Sequence, residues 1–469
     1  LSERQLFDIF STLFRSALEW LIRSNVLKRT PSMATLYIAT NDLRVEENPA
    51  LLEASEDERM GIVYCVDSDL FRADRYGCKD MGRNRWRFLV EALHDFDGLL
   101  AKYGQQLNLL FGQPYQVIHQ ILKTHRFDRV IRSKQHHLAG KDYWVKLEAL
   151  WPSVSFLEVD CSTCFSFEEI NFGRRFPDTF SSFRRQTRPR AFRAFAGLPE
   201  RLPRPMDLDG SWIPIPKTPG LQAGGVRAAE TIADEYFSSS APLTYKETRN
   251  ALQGGKLSTG LSAYLAHGCL SPLSLIKYVQ EYETTWGKND STEWILEEIQ
   301  WREFFRWYGL FHGEKLYEFS GVKGNKPLTS FYQDRFAEWR SASTAWPIVN
   351  ACMRELNVTG NLSNRGRMIA ASCLINELSL DWRCGARYFQ QQLTDYDACS
   401  NWGNWQYIAG VGADPRGGRQ FNLEKQTKLY DPDGLYRAKW ASTKHRSPDD
   451  KVSCGYDYYG WPIARGSAR

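Results

Sequence analysis

Short β-rich runs alternate with helical stretches from Ala34 to about Asp160, and after about Thr231 the β-rich runs stop. No other feature narrows the possible folds of this chain as far. The runs read TLYIAT, GIVYCVD, QLNLLFG, RVIRS and VSFLEVD. Between the second and third, NRWRFLVEALHDFDGLLAKYG spaces its apolar residues as an amphipathic helix and closes on Gly104. Short apolar runs alternating with helices predict a parallel sheet covered on both faces. No glycine fingerprint follows the first run. The expected architecture is therefore Rossmann-like in its sheet, without that fold's nucleotide-binding crossover.

Downstream the period changes. PIVNACMREL, RGRMIAASCLINEL and CGARYFQQQL are helix-length segments with apolar stripes, which predict an all-α domain. The segment between the two regions contains FRRQTRPRAFRAFAGLPERLPRP and IPIPKTPG, rich in Pro and Arg. It reads as a long connection over the surface, its arginines facing either phosphate or solvent. The division expected is an N-terminal extension over 1–32, an α/β domain over 33–165, a linker over 166–235, a helical domain over 236–440 and a tail over 441–469.

The extension is amphipathic, with Leu6, Ile9, Phe10, Leu13, Phe14 and Leu18 at helical spacing. Its Glu3, Asp8 and Glu19 oppose a transit-peptide reading, since such peptides are poor in acids. Ten Cys scattered through 469 residues suit reduced thiols in a cytosol-like compartment. A cytoplasmic location is expected, or an organellar one if residues 1–32 are a targeting segment. CSTC at 161–164 has no second pair and reads as loop or core thiols rather than a zinc site. No apolar run has the length of a membrane span. A net charge of +5 permits a polyanionic partner without requiring one. The 16 Trp exceed what packing needs and point to stacking or electron transfer.

Four clusters carry chemistry. In EEIQWREFF a helix would put Glu298, Trp301 and Arg302 on one face. A carboxylate beside an indole suits a heterocycle, which the acid binds at an N–H and the ring covers; a solvated helix face is the alternative. In NRGRM, Asn364, Arg367 and Met368 share a face, where the Met is either core or the wall of a slot. In DYDACSNWGNWQY, Asp395 and Asp397 need cationic partners if buried, and Arg302, Arg365 and Arg367 are the candidates. A metal pair is disfavoured there because no His accompanies the acids. In KLSTGLSAYLAHGCLSP, Ser258, Thr259 and Ser262 precede a helix and suit phosphate, or simple N-capping.

In order along the chain, YKETRN, GCLSP, NDSTEW, WREFF, MRELNVTGNLSNRGR, DWRCGARYF, DYDACSNWGNW and YDPDG resemble the photolyase/cryptochrome flavoproteins, and in their wording the DASH-type cryptochromes. The motifs run from Tyr245 to Trp440, the whole helical region. The resemblance implies an α/β N-terminal domain plus an all-α C-terminal FAD-binding domain. It places FAD on Tyr245, Ser258, Thr259, Leu261, Ser262, Arg302, Asn364, Arg367, Asp395, Asp397 and Asn401, with Asn401 facing the flavin N5. It implies blue-light repair of cyclobutane pyrimidine dimers, best in single-stranded DNA, with Glu298, Trp301, Met368 and Tyr407 around the lesion. The rival reading is a blue-light photoreceptor that binds FAD and nucleic acid without repair. DNA is the implied partner, RNA a further candidate, and a monomer the implied state.

Several positions depart from the family pattern. Trp405 and Trp382 match the inner and middle members of an electron-transfer series, but the outer one falls on Thr329. Tyr332 or another surface aromatic is expected to complete it. The family's WFRNDLR is here YIATNDLR, which keeps Asn41, Asp42 and Arg44. The acid that would hold a methenyltetrahydrofolate antenna is Gln135, which counts against that second chromophore.

Overall fold

The structure is a computed structural model that describes residues 33–443 apart from 138–140, 167–169, 171, 174, 189, 216–220 and 255. The predicted extension and nearly all of the predicted tail lie outside the described residues. The β-rich runs form β1 (Ala34–Ile38), β2 (Arg59–Val66), β3 (Leu107–Phe111), β4 (Arg129–Ser133) and β5 (Ser155–Val159). All pair in parallel in the order β3-β2-β1-β4-β5. The predicted amphipathic helix spans Arg83–Ala101. Central β1 is buried along its whole length, as a strand covered on both faces must be.

The helical domain matches its expectation, with helices Asp290–His312, Pro347–Thr359, Asn364–Ser372, Trp382–Gln392 and Ala398–Ala409 among its elements. Sequence periodicity joins 365–378 into one helix, yet the turn Cys373–Glu377 is a π-helix. There the Asn376 amide donates to the Ser372 carbonyl and to the Arg419 carbonyl, both at 3.1 Å. The connecting segment is more ordered than its composition suggests. It contributes the helices Phe180–Thr187 and Val226–Phe237 and a two-residue strand β6 (Arg204–Pro205) that pairs with the start of β2. It also passes so close to the sheet-side helix that a Cβ on Gly224 would sit 2.1 Å from the Phe88 carbonyl oxygen.

One hydrophobic core runs from the sheet into the helical domain, and a smaller one covers the other sheet face. The retained Asn41-Asp42-Leu43-Arg44 stretch serves this junction. Arg44 is buried and donates to the carbonyls of Gly268, Cys161 and Glu47. Gly268 closes the helix Ser262–His267 at φ 70°, and a Cβ there would lie 2.0 Å from the Asn41 carbonyl oxygen. Only glycine satisfies both the left-handed backbone and the contact. CSTC is likewise a docking loop. Cys161 and Cys164 are buried free thiols, and the Cys164 N–H donates to Glu303 at 2.8 Å while Arg302 donates to the Ser162 carbonyl at 2.7 Å. Among the described residues no helix is long and apolar enough to cross a membrane.

Candidate functional site: a polar-walled cavity in the helical domain

The helices enclose a cavity of about 390 Å³. Every residue assigned to FAD by resemblance lines it: Tyr245, Ser258, Thr259, Leu261, Ser262, Arg302, Asn364, Arg367, Asp395, Asp397 and Asn401. Glu298, Met368 and Trp405 line it too. Residues as much as 160 positions apart in the chain are thus gathered around one space, by local devices that fix each side chain.

Asp397 caps the helix Ala398–Ala409 by accepting the Ser400 N–H at 2.8 Å, and its other oxygen meets Arg306 at 2.6 Å. Burial alone would raise this carboxyl, but Arg306 and then Arg302 more than offset it and hold the group well below the usual carboxylate range. Ser363 caps Asn364–Ser372, which aims Arg367 at Asp395, 2.7 Å away. Asp395 Oδ1 is buried with no hydrogen-bond partner. A polyol hydroxyl at that point would satisfy it. The helix Ser262–His267 begins without a side-chain cap, so the hydroxyls of Ser258, Thr259 and Ser262 are not consumed in capping it. Asn401 is fixed by its Nδ2, which donates to the Ala386 carbonyl at 3.0 Å. The wall thus combines hydroxyls, an orphaned carboxylate oxygen, the guanidinium groups of Arg249, Arg302 and Arg367, and an apolar side formed by Leu261, Phe389, Met368 and Trp405. That donor set fits a dinucleotide with a polyol arm and a flat aromatic head.

At the other side of the cavity Glu298 accepts from Trp294 Nε1 at 3.2 Å and pairs with Arg249. Burial raises its carboxyl above the usual range, and Arg249 and Trp294 only partly oppose this. Glu298 thus presents a polar group on the cavity wall that a bound heterocycle can meet.

Two expected site residues are placed elsewhere. Trp301 does not line the cavity; its ring stacks on Phe180 at 3.8 Å and 12°, because the Phe180–Thr187 helix docks on this face of Asp290–His312. Of the three residues expected on one face, Glu298 and Arg302 line this cavity and Trp301 does not. Tyr407 lies beside Trp301 at 6.3 Å and holds Arg419, also away from the cavity wall. Arg365 turns to Asn250 and Gln426 rather than to the acids. Sequence reasoning missed Arg306 and Arg249, the actual partners of Asp397 and Glu298. Arg306 lies four residues after Arg302 on the same helix, a spacing that could have identified it. Arg249 lies in the YKETRN motif, 49 residues before Glu298, and nothing in that motif names its partner.

Trp405 packs on Phe389 at 5.1 Å and Trp339 at 6.4 Å. It also presses on the Trp382–Gln392 helix, where a Cβ on Gly385 would come within 2.3 Å of its ring. Trp382, one turn earlier on that helix, is fully buried and donates its indole N–H to the Phe319 carbonyl at 3.0 Å. Tyr332, the expected outer aromatic, is exposed and packs against Arg335 instead. Gln135 donates to the Ser133 carbonyl and to Thr40, so its position supplies a committed amide in place of a carboxylate.

Comparison with known proteins agrees with this geometry. Residues 294–458 match the model for the FAD binding domain of DNA photolyase, and residues 35–205 match the DNA photolyase model. Cryptochrome DASH of Idiomarina loihiensis is 42% identical over 442 residues, covering 91% of this chain and 96% of that one. The chloroplastic/mitochondrial cryptochrome DASH of Arabidopsis thaliana is 34% identical, over 91% of this chain and 79% of that one. The Synechocystis cryptochrome structure superposes with a TM-score of 0.82 at 34% identity, covering 88% of this chain and 89% of that one. A bacterial class III photolyase from Agrobacterium tumefaciens follows at 0.74 and 25% identity, with 88% of each chain covered. With its parallel α/β domain, its helical FAD-binding domain and this degree of identity along almost its whole length, the chain belongs to the cryptochrome DASH group of the photolyase/cryptochrome family.

Proposed function

We propose that this protein repairs cyclobutane pyrimidine dimers in single-stranded DNA under blue light. The observation that carries the reading is Glu298, a half-buried carboxyl with a raised pKa that lines one cavity with Asn401 and Asp395. Reduced FAD, when bound, supplies the light-driven electron that splits the dimer.

The residues of the chain do the rest. Arg367 and Asp395 hold the polyol arm, and Ser258, Thr259 and Ser262 hold phosphate. Asn401 meets the flavin edge. Glu298, carrying its proton, donates to a carbonyl of the flipped dimer, and Met368 offers it an apolar wall. Extruding a lesion costs a few kcal/mol in duplex and least in single strands, which favours a single-stranded substrate. Arg185, Arg188 and Arg190 lie on and just after the Phe180–Thr187 helix, the one that packs on Trp301. They are suited to the phosphates of such a strand. FAD alone absorbs the light in this proposal, since Gln135 offers no carboxylate for a methenyltetrahydrofolate antenna. The chain acts as a monomer.

The test is illumination of the reduced holoprotein with dimer-bearing oligothymidylate. Recovery of the base absorbance in single strands, and little or none in duplex, supports the reading. No recovery in either, with FAD bound, leaves the photoreceptor role in its place.

A further inference from the structure

The connecting segment exposes Phe192, Phe195 and Leu198 by 36%, 40% and 55%, although folding normally hides such side chains. The chain that carries them is pinned from beneath. Arg193, between the two rings, turns inward. Its N–H donates to the Cys164 carbonyl and its Nε to the Thr163 carbonyl, both at 2.9 Å, and its guanidinium pairs with buried Glu47 at 2.6 Å. Phe192 rests on buried Phe165 at 5.4 Å, and Phe195 lies 5.7 Å from the Lys277 ammonium on the helix Pro272–Trp286. Earlier in the segment, Arg188 comes close enough to Lys288 for the two like charges to act on each other. The segment thus runs back along that helix, from just past its C-terminal end to Lys277. Acids answer only some of the cations here: Glu281 pairs with Lys277 at 3.9 Å, Glu293 with Lys288 at 2.8 Å and Glu297 with Arg184 at 2.6 Å. Among the described residues no carboxylate pairs with exposed Arg185, Arg188 or Arg201.

We propose that Phe192 and Phe195, with the arginines beside them, form a second nucleic-acid site outside the cavity, which binds an unpaired strand that carries no lesion. The two rings stack on bases, and Arg185 and Arg188 meet the flanking phosphates. The site goes beyond the repair reading and does not depend on it, since none of its rings reaches the cavity wall.

Three observations support this occupant. Proteins that hold single strands combine cations along the backbone with aromatic rings for the bases, and both are present here on one stretch of chain. Residues three apart on an extended segment lie at most about 10 Å from each other, which matches about three phosphate spacings of a strand. The segment is fixed before any ligand arrives, because Arg193 is tied to Glu47 and to two carbonyls; little ordering cost is left for binding. A duplex keeps its base faces covered and offers the rings nothing. An acidic peptide would satisfy the arginines but has no flat faces for the rings. Stacking reads neither sequence nor sugar, so DNA and RNA strands present the same chemistry to this surface.

The test uses the full-length holoprotein in the dark and fluorescence anisotropy with undamaged oligothymidylate, oligouridylate and an abasic deoxyribose-phosphate oligomer of equal length. The double variant Phe192→Leu, Phe195→Leu keeps the apolar bulk and removes the rings. It should bind oligothymidylate about tenfold more weakly, with the salt slope, the affinity for the abasic oligomer and the FAD content unchanged. Phe192→Tyr with Phe195→Tyr restores stacking rings and should restore the affinity. An equal loss with oligouridylate shows that the site takes RNA as well, and a loss confined to one sugar names that strand as the ligand. A leucine variant that binds both strands as tightly as the wild type overturns the proposal, and so does one in which only oligoglutamate binding falls. An isolated thymine dinucleotide dimer occupies the cavity alone and should be split by the leucine variant at the wild-type rate. A wild type that splits none overturns the repair reading and leaves this site standing.

Discussion

Arg367 and Asp395 meet at 2.7 Å on the cavity wall, and the second oxygen of that carboxylate is buried with nothing to bind. One half of Asp395 is committed to the protein and the other half awaits a ligand. The Asp395→Asn variant keeps the shape but weakens the charge-assisted contacts, which are worth about 1.5–3 kcal/mol each. FAD affinity should fall by about tenfold to a hundredfold, by equilibrium dialysis, with the fold retained by circular dichroism. An unchanged affinity would remove Asp395 from the binding site.

Asp397 predicts an acid-labile element. Its pKa in the folded protein lies below the unfolded value because of Arg306 and Arg302. The resulting stability is therefore present above the unfolded value, near 3.9 for Asp, and is lost as the pH falls through the folded one. The melting temperature of the wild type should drop below about pH 4. In Arg306→Met, Asp397 loses its main partner, and breaking such a buried pair costs about 3–5 kcal/mol at neutral pH. Thermal unfolding across pH checks both statements.

The fold was legible because each β-rich run ends where a turn or helix begins, and the expected strands and the helix after β2 appear within a few residues of their places. The site was legible for a different reason. Asp395, Asp397, Asn401 and Trp405 fall within one turn and the following helix, so their clustering is local and readable. The neighbour of Trp301 was not legible because periodicity says which residues share a face, not what else packs on it. Phe180, from a segment that reads as irregular linker, took the stacking position. The pairing of Arg249 with Glu298 was not legible because the two lie 49 residues apart.

Glu298 carries a further pH dependence. Its carboxyl is raised by burial, so the proton needed to donate to a dimer is present at low pH and lost as the pH rises through that raised value. Dimer affinity should decline over this range in the wild type. Glu298→Gln keeps a donor, so its affinity should be flat with pH. Glu298→Ala should bind more weakly at every pH, by about tenfold. Fluorescence titration with dimer-bearing oligothymidylate separates the three.

The arginines on the Phe180–Thr187 helix and just after it predict binding that depends steeply on salt. Each phosphate contact adds about −0.7 to the slope of log affinity against log salt for single strands. Arg185→Gln and Arg188→Gln should each flatten the slope by about that amount and weaken lesion-free and lesion-bearing strands alike. Binding indifferent to salt would take the strand off this surface.

Flavin content and fluorescence of the purified protein test the central claim most directly, since Asn401, Asp395 and Trp405 are held to surround one FAD. The account predicts a yellow protein with about one FAD per chain, held in the cavity these residues line. Its flavin emission should be quenched in the wild type and should recover in Trp405→Phe. A colourless polypeptide that takes up no added FAD, or a bound flavin whose emission ignores Trp405, would contradict it.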